Sequence, residues 1–80
     1  MSEKNTDTRT YHLDRLKEHR KRRALTQIEL AKISGVSRAT IARLEAGSHG
    51  AYRSTVDKLA RALKVKPQDL TKIDSHGTTV

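Results

Sequence analysis

Residues 26–47, "TQIELAKISGVSRATIARLEAG", contain the signals for two short helices in succession. Thr26 followed three residues later by Glu29 is a capping box, in which each side chain satisfies a free backbone N–H of the first turn. Gly35 predicts the end of this helix, because a left-handed residue is easiest without a Cβ atom. Ser37 predicts the N-cap of the next helix. The stretch therefore predicts two helices joined by a short glycine-containing turn, which is a helix-turn-helix unit.

The second of these helices, expected over residues 38–46, has an outer side suited to DNA. Ile41 and Leu44 set its inward direction at about 100° per residue, which leaves small side chains and arginines outside. Arg can donate two parallel hydrogen bonds to guanine, and the methyl groups of Ala and Thr can contact the methyl group of thymine in the major groove. An Ala-rich, solvent-exposed face with no partner is the alternative. The candidate base-reading residues are Arg38, Ala39, Thr40 and Arg43.

Contacts to the DNA backbone are expected beside that helix. Gln27 is the first residue after the Thr26 cap, so its amide lies at the positive end of a helix, which suits a phosphate. An exposed Gln with no role is the alternative. The loop over residues 47–53, "GSHGAYR", follows the second helix, and which of its side chains reach DNA is left open. The candidate backbone-contacting residues are Gln27, Ser37, Ser48, His49, Tyr52 and Arg53.

Two charged residues fall on predicted core faces. Glu45 follows Leu44 and leans toward the core, and Arg20 continues the apolar line of the first helix one turn after Leu16. An unpaired charge in either place would be costly. We therefore expect an ion pair between Arg20 and Glu45 that holds the second helix of the unit against the first helix of the chain. The alternative is that each side chain stays exposed.

Apolar residues at spacings of three and four predict three more helices. One runs through "YHLDRLKEHRKRR" at 11–23, one spans about 54–64 with Ser54 as its cap, and one begins at Pro67, a favoured first helical residue. The expected fold is all-α, a compact domain of five helices around one core. The expected divisions are a flexible N-terminal arm at 1–10, the helix-turn-helix domain at 11–73 and a flexible tail at 74–80.

The 80-residue chain is strongly basic, with 17 Lys and Arg against 9 Asp and Glu and a formal net charge of +8. An excess of this size favours nucleic acid or an anionic membrane surface, although a solubilising surface charge would give the same number. The first predicted helix has two leucines and no Trp or Phe, so it lacks the broad apolar face of an interfacial helix. We expect nucleic acid as a partner and no membrane contact.

Residue usage also bounds the chemistry. The chain has no Cys, which excludes disulfides and thiolate metal sites and fits a cytoplasmic, nucleoid-associated protein. It has no apolar stretch of the roughly 20 residues that a membrane span needs. Its histidines show no metal-ligand spacing, and no nucleophile triad or Gly-rich phosphate motif accompanies them. We expect no enzymatic activity, no cofactor and no metal. The histidines are His12, His19, His49 and His76.

The stretch at 26–47 followed by "TVDKLARALKV" at 55–65 resembles the phage-repressor/Cro-like (XRE) helix-turn-helix family, and the resemblance covers about residues 13–73. It implies a lambda-repressor-like fold and DNA binding. It also implies that Gln27 touches the DNA backbone and that Arg20 and Glu45 form an internal ion pair. The positions that it implies face bases or adjacent phosphates are Arg38, Ala39, Thr40 and Arg43. Many members open the fourth helix with Pro and Ser, where this chain has Ala51 and Tyr52.

These features together predict a sequence-specific regulator of transcription that binds double-stranded DNA, expected to be a repressor. A single short domain buries only about 600–1,000 Å² on DNA, so we expect a homodimer on DNA. The alternative is a protein-interaction module of the same fold, resembling an antitoxin or an accessory factor of a recombinase or polymerase. DNA binding by such a module would depend on a protein partner.

Overall fold

The computed structural model describes residues 9–71, and this part of the chain folds into four α-helices, one turn of 3₁₀-helix and a two-stranded antiparallel sheet. The helices are short, and the sheet joins the start of the described chain to the segment after the third helix. In chain order the elements are β1 Thr10–Tyr11, α1 Leu16–Arg22, α2 Gln27–Ser34, α3 Arg38–Ala46, β2 Ala51–Tyr52, α4 Arg53–Leu63 and the 3₁₀ turn Pro67–Leu70.

The capping signals of α2 and α3 are confirmed. Thr26 and Glu29 form both bonds of the capping box, with 3.0 Å from the Glu29 N–H to Thr26 Oγ1 and 2.8 Å from the Thr26 N–H to Glu29 Oε1. Gly35 ends α2 at a φ of 78°, and Gly47 ends α3 at a φ of 78°. Ser37 caps α3 by accepting a hydrogen bond from a backbone N–H of its first turn. The two helices of the predicted unit therefore begin and end where local chemistry places them.

The expectation of five helices is wrong for the described residues. The fifth element begins at Pro67 as predicted, but it is one 3₁₀ turn that ends at Leu70. Packing accounts for the short length of this element. Leu70, the fourth residue of the turn, is fully buried, and the backbone of Thr71 is already extended. Ile73, which was expected to continue this helix, lies outside the described residues.

An all-α fold is also too simple a description. The predicted first helix reached back to residue 11, but Tyr11 pairs with Ala51 in the sheet and α1 begins only at Leu16. A strand of two residues is too short to show the alternation of apolar and polar residues by which a sequence indicates a strand. The cap predicted at Ser54 is wrong as well, because α4 begins at Arg53 directly after β2 and no side chain caps it.

The core is built from aliphatic side chains of all four helices and the 3₁₀ turn. Ile41 and Leu44 of α3 are buried in it, so the opposite side of α3 faces outward. The fully buried large side chains are Leu16, Leu30, Ile41, Leu59, Leu63 and Leu70.

The predicted domain limits at 1–10, 11–73 and 74–80 stay predictions, since residues 1–8 and 72–80 lie outside the described part of the chain. Thr10, which the sequence assigns to the arm, lies in β1. Within residues 9–71, the helices are too short and too polar for any of them to cross a membrane.

Candidate nucleic-acid interface

The outward surface of α3 has the composition that the sequence predicts. Arg38, Ala39 and Arg43 are exposed and Thr40 is half-buried, while Ile41 is completely buried behind them. Small side chains keep this surface low between the two arginines. The helix can therefore enter the major groove of a double helix, with its backbone close to the edges of the bases.

The N-terminal turn of α3 is held by a pair of hydroxyl groups. Ser37 Oγ accepts from the Thr40 N–H at 3.1 Å and donates to Thr40 Oγ1 at 2.9 Å. Thr40 Oγ1 thus accepts one hydrogen bond, which holds the hydroxyl group in place, and the hydroxyl proton can still be donated to another group. The side chain of Ser37 is used in the helix cap. Any contact that Ser37 makes with an anion therefore depends chiefly on its place at the positive end of the helix.

On one side of α3, the structure brings base-reading and backbone candidates into one groove. Thr40 and Arg43 of α3 line this loop-side groove together with His49 and Tyr52 of the following segment. Ser48 belongs to the end of the helix, because its Oγ donates to the carbonyl oxygen of Arg43 at 3.2 Å. The loop side of the predicted interface is therefore a continuous surface.

Arg38 of α3 and Gln27 at the start of α2 line a second, open groove. The predicted candidates consequently line two grooves beside α3. This arrangement suits a double helix, since a helix lying in a groove has a phosphate backbone on each side.

Arg53 lies apart from these two groups. It lines a cleft with Tyr11 of β1 and Pro67 of the 3₁₀ turn. Its Nε donates to Asp57 Oδ1 at 3.2 Å, and this hydrogen bond together with the carboxylate charge raises the pKa of the guanidinium above its ordinary value. Arg53 therefore keeps its positive charge, one residue beyond Tyr52 at the start of α4.

Arg20 and Glu45 form the two-pronged ion pair that the sequence predicts. Arg20 Nε lies 2.6 Å from Glu45 Oε2, and Arg20 Nη2 lies 2.9 Å from Glu45 Oε1. Their side chains are only 11% and 4% exposed. Burial would raise the pKa of Glu45, but hydrogen bonds from Arg20 and then Gln27 outweigh it, so the pKa is lowered. Glu45 is consequently held as a carboxylate.

Sequence reasoning missed a third residue that hydrogen-bonds to this ion pair. Gln27 Nε2 donates to Glu45 Oε1 at 3.0 Å, so one carboxylate joins α1, α2 and α3. One N–H of the Gln27 amide is used in this way, and the second N–H is left to donate elsewhere. The capping signal showed where Gln27 stands in its helix, but the crossing of α2 and α3 that brings it to Glu45 is a property of the packed structure.

The ion pair also sets the electrostatics of the outer surface. Glu45 is the one acidic side chain in α3, all of whose residues are described, and it is turned inward onto Arg20. Arg38 and Arg43 remain on the outside with no acidic neighbour within their own helix. The exposed side of α3 is therefore positive, as a surface for an anion must be.

Comparison with known proteins places this geometry in a family. A helix-turn-helix family model matches residues 16–70. An uncharacterized HTH-type transcriptional regulator, RghRB of Bacillus subtilis, is 42% identical over 62 residues, which span 76% of this chain and 45% of that protein. The chain thus spans less than half the length of this relative.

Two solved structures share the fold. The restriction-modification controller protein C.AhdI of Aeromonas hydrophila superposes with a TM-score of 0.68 at 35% identity, covering 71% of this chain and 86% of that one. The P22 c2 repressor, solved in complex with a synthetic operator, superposes with a TM-score of 0.70 at 27% identity, covering 82% of this chain and 100% of that one. Because the matched region contains the capped α2–α3 pair and the helices packed on it, the chain belongs to the phage-repressor/Cro-like (XRE) helix-turn-helix family.

Proposed function

We propose that this chain is a sequence-specific double-stranded DNA-binding regulator of transcription that acts as a repressor, with α3 lying in the major groove. The observation that carries the proposal is the outer surface of α3, where small side chains lie between Arg38 and Arg43 and the helix's acidic residue is sequestered by Arg20. The names of the similar proteins support it, since they describe an operator-bound repressor and a controller protein.

Sequence discrimination comes from four side chains of α3. Arg43 and Arg38 each donate two N–H groups to the O6 and N7 atoms of a guanine, and the methyl groups of Ala39 and Thr40 contact thymine. The Thr40 hydroxyl proton, which the Ser37 cap leaves available, can donate to a base or phosphate oxygen. Arg43 has the central role, because it lines the loop-side groove and is exposed in the last turn of α3.

Phosphate contacts hold α3 in register from both sides. Gln27 donates its second amide N–H and its backbone N–H to one strand at the start of α2. His49 and Tyr52 contact the other strand beside the loop-side groove. Ser37 contributes its backbone N–H at the start of α3, and Ser48, whose N–H and hydroxyl both bond the carbonyl oxygen of Arg43, holds the loop in place. Arg53 adds positive charge at the start of α4.

Two copies bind together. One domain of this size buries too little surface on DNA for a stable specific complex, so the functional unit is a homodimer on two half-sites about one helical turn apart. Repression then follows from occupation of a promoter by the pair.

Selection from a random pool of DNA duplexes tests the proposal directly. The purified chain is incubated with the pool at about 150 mM salt, where phosphate attraction alone is weak, and bound duplexes are amplified and sequenced. Enrichment of an inverted repeat with half-sites about one turn apart is the expected result. A folded chain that enriches no sequence would overturn it and would direct the search to a protein partner.

A further inference from the structure

A small antiparallel ribbon ties the start of the described chain to the loop beside α3. Thr10 pairs with Tyr52 and Tyr11 pairs with Ala51. The second strand of this ribbon lies between the end of the loop and the first residue of α4. The backbone of the loop is therefore held at its far end by residues that are distant in sequence.

The contact between the loop and the first strand is unusually close at Gly50. A Cβ atom built on Gly50 would lie 2.7 Å from both Cβ and Oγ1 of Thr10 and 3.3 Å from the Tyr11 nitrogen. Its backbone is not in the left-handed region, so the constraint on this glycine is one of space. The ribbon can close because residue 50 has no side chain.

The two side chains of β2 point to opposite faces of the ribbon, and this connects the ribbon to the candidate interface. Ala51 is only 4% exposed and packs in the core, whereas its neighbour Tyr52 is 57% exposed and lines the same groove as Arg43. Tyr11 packs against the core from the first strand. Closing the ribbon therefore fixes which side of the strand faces the core and which side faces the groove.

The other end of the loop is held by α3 itself. Ser48 donates to the carbonyl oxygen of Arg43 through both its backbone N–H and its hydroxyl, each at 3.2 Å. His49 lies between this anchor and the ribbon, with its Nδ1 3.1 Å from Ser48 Oγ. The two anchors leave the short loop between them little freedom.

We propose that Thr10 and Tyr11 are positioning residues for DNA binding, which act by holding His49 and Tyr52 at the edge of the groove before DNA arrives. The inference rests on the proposed function. A loop that is ordered in advance loses less conformational entropy on binding than a free loop does, so closing the ribbon raises affinity without touching a base. The proposed contacts of His49 and Tyr52 are to the phosphate backbone of DNA, which carries no sequence information. Closing the ribbon therefore changes the affinity for all DNA sequences by the same factor.

A graded substitution at Gly50 tests this proposal with the full 80-residue chain. Gly50→Ala, and more strongly Gly50→Val, are expected to push the first strand away. The expected result for Gly50→Ala is about a tenfold loss of affinity, with the order of preferred sequences unchanged. If opening the ribbon also moves Arg53, which directly follows Tyr52, away from a phosphate, the slope of log affinity against log salt falls by about one. A change of fold stability alone would not move this slope in a folded variant.

A compensating change at Thr10 supplies the matched control. Thr10→Gly removes the two atoms that a Cβ at residue 50 would strike, so the Thr10→Gly/Gly50→Ala double variant is expected to recover affinity to within about threefold of Thr10→Gly alone. Protection of the backbone amides of the two strands from hydrogen exchange reports the state of the ribbon without reference to DNA.

Binding is measured on the selected duplex and, in parallel, on a duplex of unrelated sequence. Equal affinity and equal salt slope across the wild type, Gly50→Ala and Gly50→Val would overturn the proposal. Failure of the double variant to recover would overturn it too. These outcomes differ from a failure of the proposed function, which would show in the wild type as equal binding of the two duplexes.

Discussion

Arg20 on α1 and Glu45 on α3 meet through two hydrogen bonds of 2.6 Å and 2.9 Å in the interior of the domain. A third bond of 2.7 Å runs from Arg20 Nη1 to the carbonyl oxygen of Leu25, in the turn between α1 and α2. One guanidinium therefore holds α3 to α1 and bonds the turn that leads into α2. This group therefore contributes to the orientation of α3, together with the burial of Ile41 and Leu44 in the core.

Loss of Arg20 is expected to be far more costly than loss of an ordinary arginine. Arg20→Ala leaves the buried Glu45 carboxylate without its main partner, which costs on the order of 3 kcal/mol of the free energy of unfolding. Arg22→Ala is the matched control in the same helix, because the Arg22–Glu18 pair is 64% and 47% exposed and is expected to change stability by less than about 0.5 kcal/mol. Urea denaturation measures both. Equal effects would show that the buried pair contributes no more than a surface pair.

The same pair predicts how stability depends on pH. The pKa of Glu45 is lowered in the folded protein, so between the ordinary glutamate pKa of about 4.3 and the folded value the unfolded chain binds more protons than the folded chain. The stabilisation is therefore complete above about pH 5 and is lost as the pH falls below the ordinary glutamate value and through the lowered pKa of Glu45 in the folded protein. Denaturant unfolding of the wild type and Glu45→Gln from pH 7 to pH 3 should show their difference shrinking with acid. A difference that stays constant would contradict this assignment.

A left-handed alanine offers a way to stabilise the domain. Ala24 is exposed and has a φ of 56°, a conformation that costs an L-residue about 1–2 kcal/mol and costs glycine nothing. After the extra freedom of glycine in the unfolded chain is deducted, Ala24→Gly is expected to stabilise the protein by about 0.5–1 kcal/mol. Ala62→Gly within α4 is the control and is expected to destabilise it by about 1 kcal/mol. Thermal unfolding that moves both variants in the same direction would refute the strain.

Local chemistry made the helix-turn-helix unit predictable. Thr26, Ser37 and the glycines that end each helix act within a few residues of chain, so the same signals are visible in the sequence and in the structure. The Arg20–Glu45 contact was also predictable, because each charge falls on a predicted core face, where an unpaired charge would be costly.

Contacts between distant segments were not predictable in this way. The pairing of Tyr11 with Ala51 joins two strands of two residues each, and nothing in either strand marks the other. The bond from Gln27 to Glu45 depends on how closely α2 and α3 approach once the core is packed. The 3₁₀ turn at Pro67–Leu70 has the starting signal of a helix, and only the burial of Leu70 shows how soon it ends.

Base recognition by Arg43 predicts a loss that depends on sequence. Arg43→Ala is expected to weaken binding to the selected duplex by roughly 1–3 kcal/mol and to relax the preference at one base position, because two N–H donors to one guanine are removed. Arg43→Lys should also lose that preference, since an ammonium group cannot form the two parallel bonds. Arg61→Ala, an exposed arginine on α4, is the charge-matched control. Titrations on duplexes with single base changes distinguish the two. Equal weakening of every duplex by Arg43→Ala would remove this residue from base recognition.

Gln27 should behave in the opposite way, because its proposed contact is with a phosphate. Gln27→Ala removes one donor, so we expect the selected duplex and an unrelated duplex to weaken by the same amount, about 0.5–1.5 kcal/mol.

The salt dependence of binding separates this contact from the arginine contacts. A neutral amide releases no counterion, so Gln27→Ala should leave the salt slope unchanged, in contrast to loss of a phosphate-binding arginine. Gln68→Ala in the exposed 3₁₀ turn is the matched control, and both variants are compared well below their unfolding temperatures because Gln27 also bonds Glu45. If Gln27→Ala weakened only the selected duplex, its amide would be contacting a base, and the start of α2 would lie deeper in the groove than we propose.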